Sequence, residues 1–276
     1  MHADDLLKDV KDLPETWRGL TNAYRIGGET ALKKMRNMRG YDFRPARDIS
    51  YEEFFRRLSE VDLDALASQS PDPQAFRKGM TRLFNQFDIA TESSTHGFRA
   101  SQGASHQLLD ILSRVKLGRK VKGVEVDKDI FDAAGNPLGK RRYDAELGEP
   151  DELLDHKAWD PENIDTYLDF AMRSKRAGKA ADGKIVLPSD VKEGQLFLDL
   201  VLMLRTNDPK NVKWVFDPRM AGKEAELAER ILGLMQKGEN KKKLMKALGI
   251  KNPDDFDDLI IRARQKLPEF ISVSAY

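Results

Sequence analysis

Hydrophobic positions along the chain recur at two spacings, and the spacing changes near residue 120. Up to about residue 90 they recur at helical intervals, as in "ETALKKMRNM" and "SYEEFFRRLSEVDLDALA". Ser50 stands three residues before Glu53, the spacing at which a hydroxyl and a glutamate close the first turn of a helix. "SQSPDPQAFRKGMTRLFNQF" predicts a loop and a further helix, with Ser70 or Asp72 as its cap. Residues 91–104, "TESSTHGFRASQGA", are small and polar and predict a linker. This places a domain boundary between a helical accessory region, 1–90, and a second domain, 105–276. "SHQLLDILSRVKLG" then predicts an amphipathic helix stopped by Gly118.

From residue 120 the period drops to two. "KVKGVEVDKDIFD", "KRRYDAELG" and "ELLDHKAW", separated by "AAGNPLG" and "EPD", predict a three-stranded antiparallel meander. "IDTYLDFAMRSKRAG" predicts a helix and "GKIVLPS" a short strand or extended segment. "EGQLFLDLVLMLRT" predicts an apolar helix, and "NVKWVFDP" a strand with Val212, Trp214 and Phe216 on one side. "AGKEAELAERILGLMQKG" predicts another helix, and "KKKLMKALGIKNPDDFDDLIIRARQKLP" a pair of short ones. The order of elements predicts an α/β core with a mixed central sheet flanked by helices, behind an N-terminal helical region.

Composition narrows the chemistry. A net charge of +1 announces no polyanion partner, so any nucleic-acid contact must come from a local patch. The chain has no cysteine, which excludes disulfides, thiolate metal sites and a cysteine nucleophile. "MHADDLLKDVKDLPETW" is acidic and lacks a long apolar run, so no signal peptide is expected. The longest apolar stretch, "LFLDLVLMLR", is short and carries Asp199, which predicts a buried helix and no membrane span.

The candidate chemistry lies in "RRYDAELGEPDELLDHKAW", residues 141–159. With Gly148–Asp151 as the turn, Leu147 pairs with Glu152 and Asp144 falls opposite Asp155, with β-carbons about 4.5–5.5 Å apart. Alternation puts Glu146 and Lys157 on the same face, with Tyr143, Ala145, Leu147 and His156 on the other. His156 is expected to pack or to support the site from behind. Two ionised carboxylates at that separation repel, and a divalent cation between them removes the repulsion. Hard oxygen ligands suit Mg²⁺ or Mn²⁺. The lysine can then orient or deprotonate an attacking water, or neutralise charge on a phosphate. As a purely structural alternative, Asp155 and Lys157 are solvated residues of a half-exposed sheet.

This hairpin resembles the PD-(D/E)xK nuclease superfamily, with its restriction-endonuclease-like fold. Asp144 in "RRYDAELG" matches the first acid, and Asp155-His156-Lys157 in "LLDHKAW" matches the acid-x-lysine motif. The stretch "VDKDIFDAAGNPLGKRRYD", with the acid-x-lysine strand ending in Trp159, is similar to nuclease domains at the C-termini of bacterial polymorphic toxins and effectors. Gln195 in "EGQLFLDLVLMLR" and "VKWVF", 212–216, match the glutamine helix and Val-x-Trp-x-Phe strand that often follow. The resemblance covers roughly residues 105–236 and leaves out 1–90.

It implies a Mg²⁺- or Mn²⁺-dependent endonuclease, with Asp144 and Asp155 on the metal, Lys157 at the water or the developing charge, and Gln195 orienting substrate or water. DNA is the implied substrate, RNA the alternative. The biology it implies is an antibacterial toxin delivered by a specialised secretion system into a target cell's cytoplasm, with a cognate immunity protein in the producer. The family's further glutamate, on the helix before the sheet, is absent. Asp110 or Gln107 is the nearest substitute as a third ligand, with Glu92 upstream and Glu125 on the first strand. Two other readings stand beside it: a nuclease-like module that binds nucleic acid or protein without cutting, and a DNA repair or junction-processing nuclease.

Further features are weaker. "KLGRKVKG" and Lys140-Arg141-Arg142 are basic clusters that suit either phosphate contact or solubility. "ENKKKLMK" is a similar run. His96 and His106 lack partners at zinc spacing. "RIGGETALKK" lacks the ending of a phosphate-binding loop and predicts a turn and helix start.

Overall fold

The computed structural model describes residues 14–40, 49–87, 94–159, 161–172, 178–179, 185–186, 194–205, 211–274 and 276. Glu92 and the side chain of His96 lie outside what is described. The described elements, in order, are α1 (Pro14–Gly40), α2 (Tyr51–Ser59), α3 (Leu63–Gln69), α4 (Pro73–Asn85) and α5 (Ser94–Lys116), then β1 (Lys120–Phe131), β2 (Pro137–Gly148) and β3 (Glu152–Lys157). They continue with α6 (Ile164–Met172), β4 (Gly178–Lys179), β5 (Ile185–Val186), α7 (Gln195–Leu204), β6 (Val212–Phe216), α8 (Glu224–Gln236), α9 (Gly238–Ala247), α10 (Pro253–Phe270) and β7 (Ile271–Val273). Five strands form a mixed sheet in the order β1-β2-β3-β6-β7. β2 and β3 are antiparallel, while β6 and β7 are parallel. The α/β class expected from the sequence is what the chain adopts.

Residues group into two compact units, one of 1–126, 143–158 and 274–276, the other of 127–142 and 159–273. The division runs through β1 and β2, not through residues 91–104. The linker expected there is corrected: α5 begins at Ser94 and runs through it. The small residues that suggested a loop answer a packing demand instead, since Ser101 and Ala104 are fully buried.

In the first unit α1 packs on α2 and α4, and α2 and α4 pack on α5. The Gly27-Gly28 turn appears inside α1, where Gly28 takes a φ of 67° that glycine tolerates and most residues do not. Ser50 caps α2 by accepting from the Glu53 N–H, as its spacing predicted. The helix expected to run on to residue 67 breaks, because Asp62 caps a new start by accepting from the Asp64 and Ala65 N–H groups. Asp72, not Ser70, caps α4. Gly79 lets α4 lie directly on β1: a β-carbon there would sit 1.8 Å from the Val124 carbonyl oxygen.

In the second unit α7 packs on β6, and α8 and α10 pack on β7. α7 is buried along its length, including Asp199. That carboxylate accepts from Arg141 Nε (3.1 Å) and Nη2 (3.2 Å) and from Trp214 Nε1 (2.7 Å). A buried charge requires a partner, so Arg141 of the expected basic cluster is a core ion-pair residue. α10 is longer than expected and leads directly into β7, a three-residue strand that its sequence does not announce.

Candidate functional site

β2 and β3 pair as Ala145↔Leu154, Glu146↔Leu153 and Leu147↔Glu152. Over these three pairs this is the expected register. Tyr143, Ala145 and Leu147 are fully buried, while Asp144 and Glu146 are half-buried, so the alternation along β2 follows the pattern. On β3 the picture is tighter than expected. Asp155 and Lys157 are both buried, at 4% and 5% exposure, and ion-paired through Asp155 Oδ2 and Lys157 Nζ. A solvated pair on a half-exposed sheet does not describe them.

Asp144 is fixed from β3. Its Oδ2 accepts the main-chain N–H of His156 at 2.5 Å and lies 3.4 Å from His156 Nδ1. Burial pushes the Asp144 pKa up, but the hydrogen bonds from His156 and the charges of His156 and Lys157 outweigh it and hold the group below the usual carboxylate range. No described protein group bonds to Asp144 Oδ1, and the side chain keeps 20% exposure. One oxygen is thus clamped, and the other has no hydrogen-bond partner among the described residues.

His156 sits against α5, which packs on β3. Its Nε2 is 2.9 Å from Asp110 Oδ2, so the ring nitrogen facing that carboxylate carries the proton. Asp110 also accepts from Arg114 Nε at 2.5 Å and from Ser274 Oγ at 2.7 Å. Desolvation raises the Asp110 pKa, yet His156, Arg114 and Ser274 together drive it well below normal. Desolvation likewise opposes charge on His156, and Asp110 and Asp144 reverse this, raising its pKa. The result is a connected row of side chains: Arg114, Asp110, His156 and Asp144.

Around this row, Gln107 Nε2 donates to Glu125 Oε1 (3.1 Å) and to the Asp144 carbonyl (3.0 Å). Gln86 donates to the same Glu125 oxygen at 3.1 Å. Glu125 has a φ of 52°, an uncommon conformation for a non-glycine residue. His106 Nδ1 is hydrogen-bonded to the Tyr276 hydroxyl at 2.9 Å, and its ring meets His156 edge-on with centroids 5.4 Å apart.

The structure therefore brings Asp144, Asp155, Lys157 and Asp110 to one hairpin and its covering helix. Asp110 is engaged by three protein donors, and Gln107 supports the main chain. Gln195 starts α7 in the second unit. Among the described residues no three His, Cys, Asp or Glu side chains are grouped to hold a metal ion. The donor set fits a hard cation that takes one or two carboxylates and completes its shell with water or phosphate. Asp144 offers an open oxygen for such an ion. Residues that the sequence left out of the site are Arg114, Ser274 and Tyr276; the last two carry no signal, since Ser274 is 164 positions from Asp110.

The basic clusters are largely neutralised in place. Lys116 pairs with Glu60, Arg119 with Glu152 (2.8 Å), Lys122 with Asp151 (2.6 Å), Lys140 with Asp129 (3.7 Å) and Arg142 with Asp127 (2.9 Å). No described helix is long and apolar enough to cross a membrane. No protein-family model, curated protein or solved structure matches this chain.

Proposed function

We propose that this protein is a metal-dependent endonuclease that hydrolyses phosphodiester bonds, with DNA as its substrate. The observation that carries the proposal is the buried Asp155–Lys157 ion pair on β3, with the Asp144 carboxylate held to His156, the residue between them. A buried lysine–carboxylate pair is weak support for stability on its own, which favours a chemical role for it.

Asp144, through Oδ1, and Asp155 would hold Mg²⁺ or Mn²⁺. When bound, such an ion polarises a phosphoryl oxygen and acidifies a coordinated water. Lys157 would hold the attacking water or balance charge on the phosphate as the bond breaks. His156 keeps Asp144 ionised and aimed, through its main-chain N–H and its ring. Gln195 would orient substrate, by resemblance to the nuclease superfamily.

The biological role that goes with this chemistry is an antibacterial effector released through a specialised secretion apparatus and held in check by an immunity protein in the producing cell. A second reading is favoured by the engagement of Asp110 and the small set of ligands: a nuclease-like module that holds nucleic acid or a protein without cutting it. Plasmid DNA incubated with the protein in Mg²⁺, in EDTA and with Lys157→Ala separates the two. The nuclease reading expects cutting that both EDTA and the substitution abolish, and binding without cutting would favour the module. A panel of junction and flap substrates would reveal a repair enzyme.

A further inference from the structure

The segment 274–276 belongs to the first unit although α10 and β7, which lead into it, belong to the second. It meets the site at two points. Ser274 is 5% exposed and donates its hydroxyl to Asp110 Oδ1 at 2.7 Å. The Tyr276 hydroxyl bonds His106 Nδ1 at 2.9 Å, and the rings of Tyr276 and His106 pack with centroids 5.5 Å apart.

Both contacts converge on one imidazole. Asp110 can hold His156 Nε2 through Oδ2 only while its carboxylate keeps one orientation. Arg114 fixes that orientation from along the same helix, at i+4, and Ser274 fixes the other oxygen from outside the helix. His106 closes the edge of the His156 ring, and Tyr276 sets the rotation of His106. His156 in turn presents its main-chain N–H to Asp144 Oδ2. A carboxylate that orients an imidazole, and a hydroxyl that orients the carboxylate, form a chain of hydrogen bonds in which each member limits the freedom of the next.

We infer that Ser274 and Tyr276 are positioning residues of the nuclease site, which hold Asp110 and His106 so that His156 keeps Asp144 aimed at the reacting phosphate. The inference rests on the functional reading above for its catalytic consequence, but not for its geometry. Neither residue touches the reacting atoms in this scheme. Their effect belongs on turnover and not on substrate capture, because neither Ser274 and Tyr276 nor the Asp110 and His106 that they hold is placed at the substrate in this scheme.

The test uses the full chain with Ser274→Ala, Ser274→Thr and Tyr276→Phe, each checked for an unchanged urea midpoint within the loss of one hydrogen bond, about 1 kcal/mol. Ser274→Ala is expected to lower kcat about 10- to 100-fold, as removal of an outer hydrogen-bond partner does at metal sites, with KM within about twofold. Ser274→Thr, which restores the hydroxyl, recovers most of the rate. Tyr276→Phe lowers kcat less than Ser274→Ala does.

A second arm needs no activity. The His156 main-chain amide and ring nitrogens, followed by NMR at fixed pH without DNA, should shift in Ser274→Ala and return in Ser274→Thr. If these resonances stay put, the inference is overturned even while the wild-type cuts DNA. A fall in kcat that Ser274→Thr does not rescue, or a loss expressed wholly in KM, also overturns it. If the resonances move but no DNA is cut by the wild-type, the positioning stands and the nuclease reading fails.

Discussion

Replacing Asp110 by Asn probes this connected row with little change of shape. The new side chain can still accept from Ser274, but it has no charge for His156 or Arg114, and its amide nitrogen competes with their donors. His156 is 1% exposed at its side chain, so water cannot replace the lost partner. Removing one member of a buried ion pair costs about 3–5 kcal/mol, a large share of the roughly 5–15 kcal/mol that holds a domain together. The loss should depend on pH in a defined way. The raised pKa of His156 contributes stability that is complete below its ordinary value of 6.5 and disappears as pH rises through the folded value. The lowered pKa of Asp110 contributes stability that is complete above 3.8 and disappears as pH falls through the folded value. The difference between wild-type and Asp110→Asn is therefore greatest between about pH 4 and 6.5 and narrows on either side. Urea unfolding followed by tryptophan fluorescence at pH 5.5 and pH 9 measures it. Equal differences at the two pH values, or a difference under about 1 kcal/mol at pH 5.5, would refute the reasoning.

Three other outcomes follow from the packing and the site. Asp199→Ala leaves Arg141 and Trp214 Nε1 buried without their acceptor and should cost about 3–5 kcal/mol, whereas Asp199→Leu with Arg141→Met should cost less than either single change, as a double-mutant cycle in urea would record. Gly79→Ala drives a methyl group into the Val124 carbonyl and should lower stability by about 1–3 kcal/mol or more, seen as a fall in melting temperature. Asp144→Asn removes the charge that would face the cation and should reduce DNA cleavage about 10²–10³-fold in protein whose circular dichroism remains that of the folded chain, read from plasmid nicking rates.

What was legible in the sequence is what short-range periodicity encodes. The β2–β3 hairpin announced its register because Gly148–Asp151 is turn chemistry and the alternation on both sides fixes which residues face together. The Ser50 cap and the Trp214 strand were legible for the same local reason. Residues 94–104 misled because serine, glycine and alanine serve loops and tight packing alike, and only the neighbouring helices decide between the two. β7 is three residues long and parallel to β6, so its partner gives it meaning and its own sequence does not. The same holds for the site. Asp144, Asp155 and Lys157 share one hairpin, whereas Arg114, Ser274 and Tyr276 matter through contacts made across the fold. His156 was expected on the face opposite Asp144, whereas its ring lies 3.4 Å from the Asp144 carboxylate and 2.9 Å from that of Asp110, a role that requires knowing what α5 brings beside it.

The central claim is that Asp144 and Asp155 together hold a divalent cation beside Lys157. A crystal soaked in Mn²⁺ and measured at the manganese edge tests it without reference to any substrate. The account predicts one strong anomalous peak about 2.0–2.3 Å from oxygens of both carboxylates, lost in Asp144→Asn. A Mn²⁺-soaked crystal with no peak there, or with its only peak away from this hairpin, would contradict it.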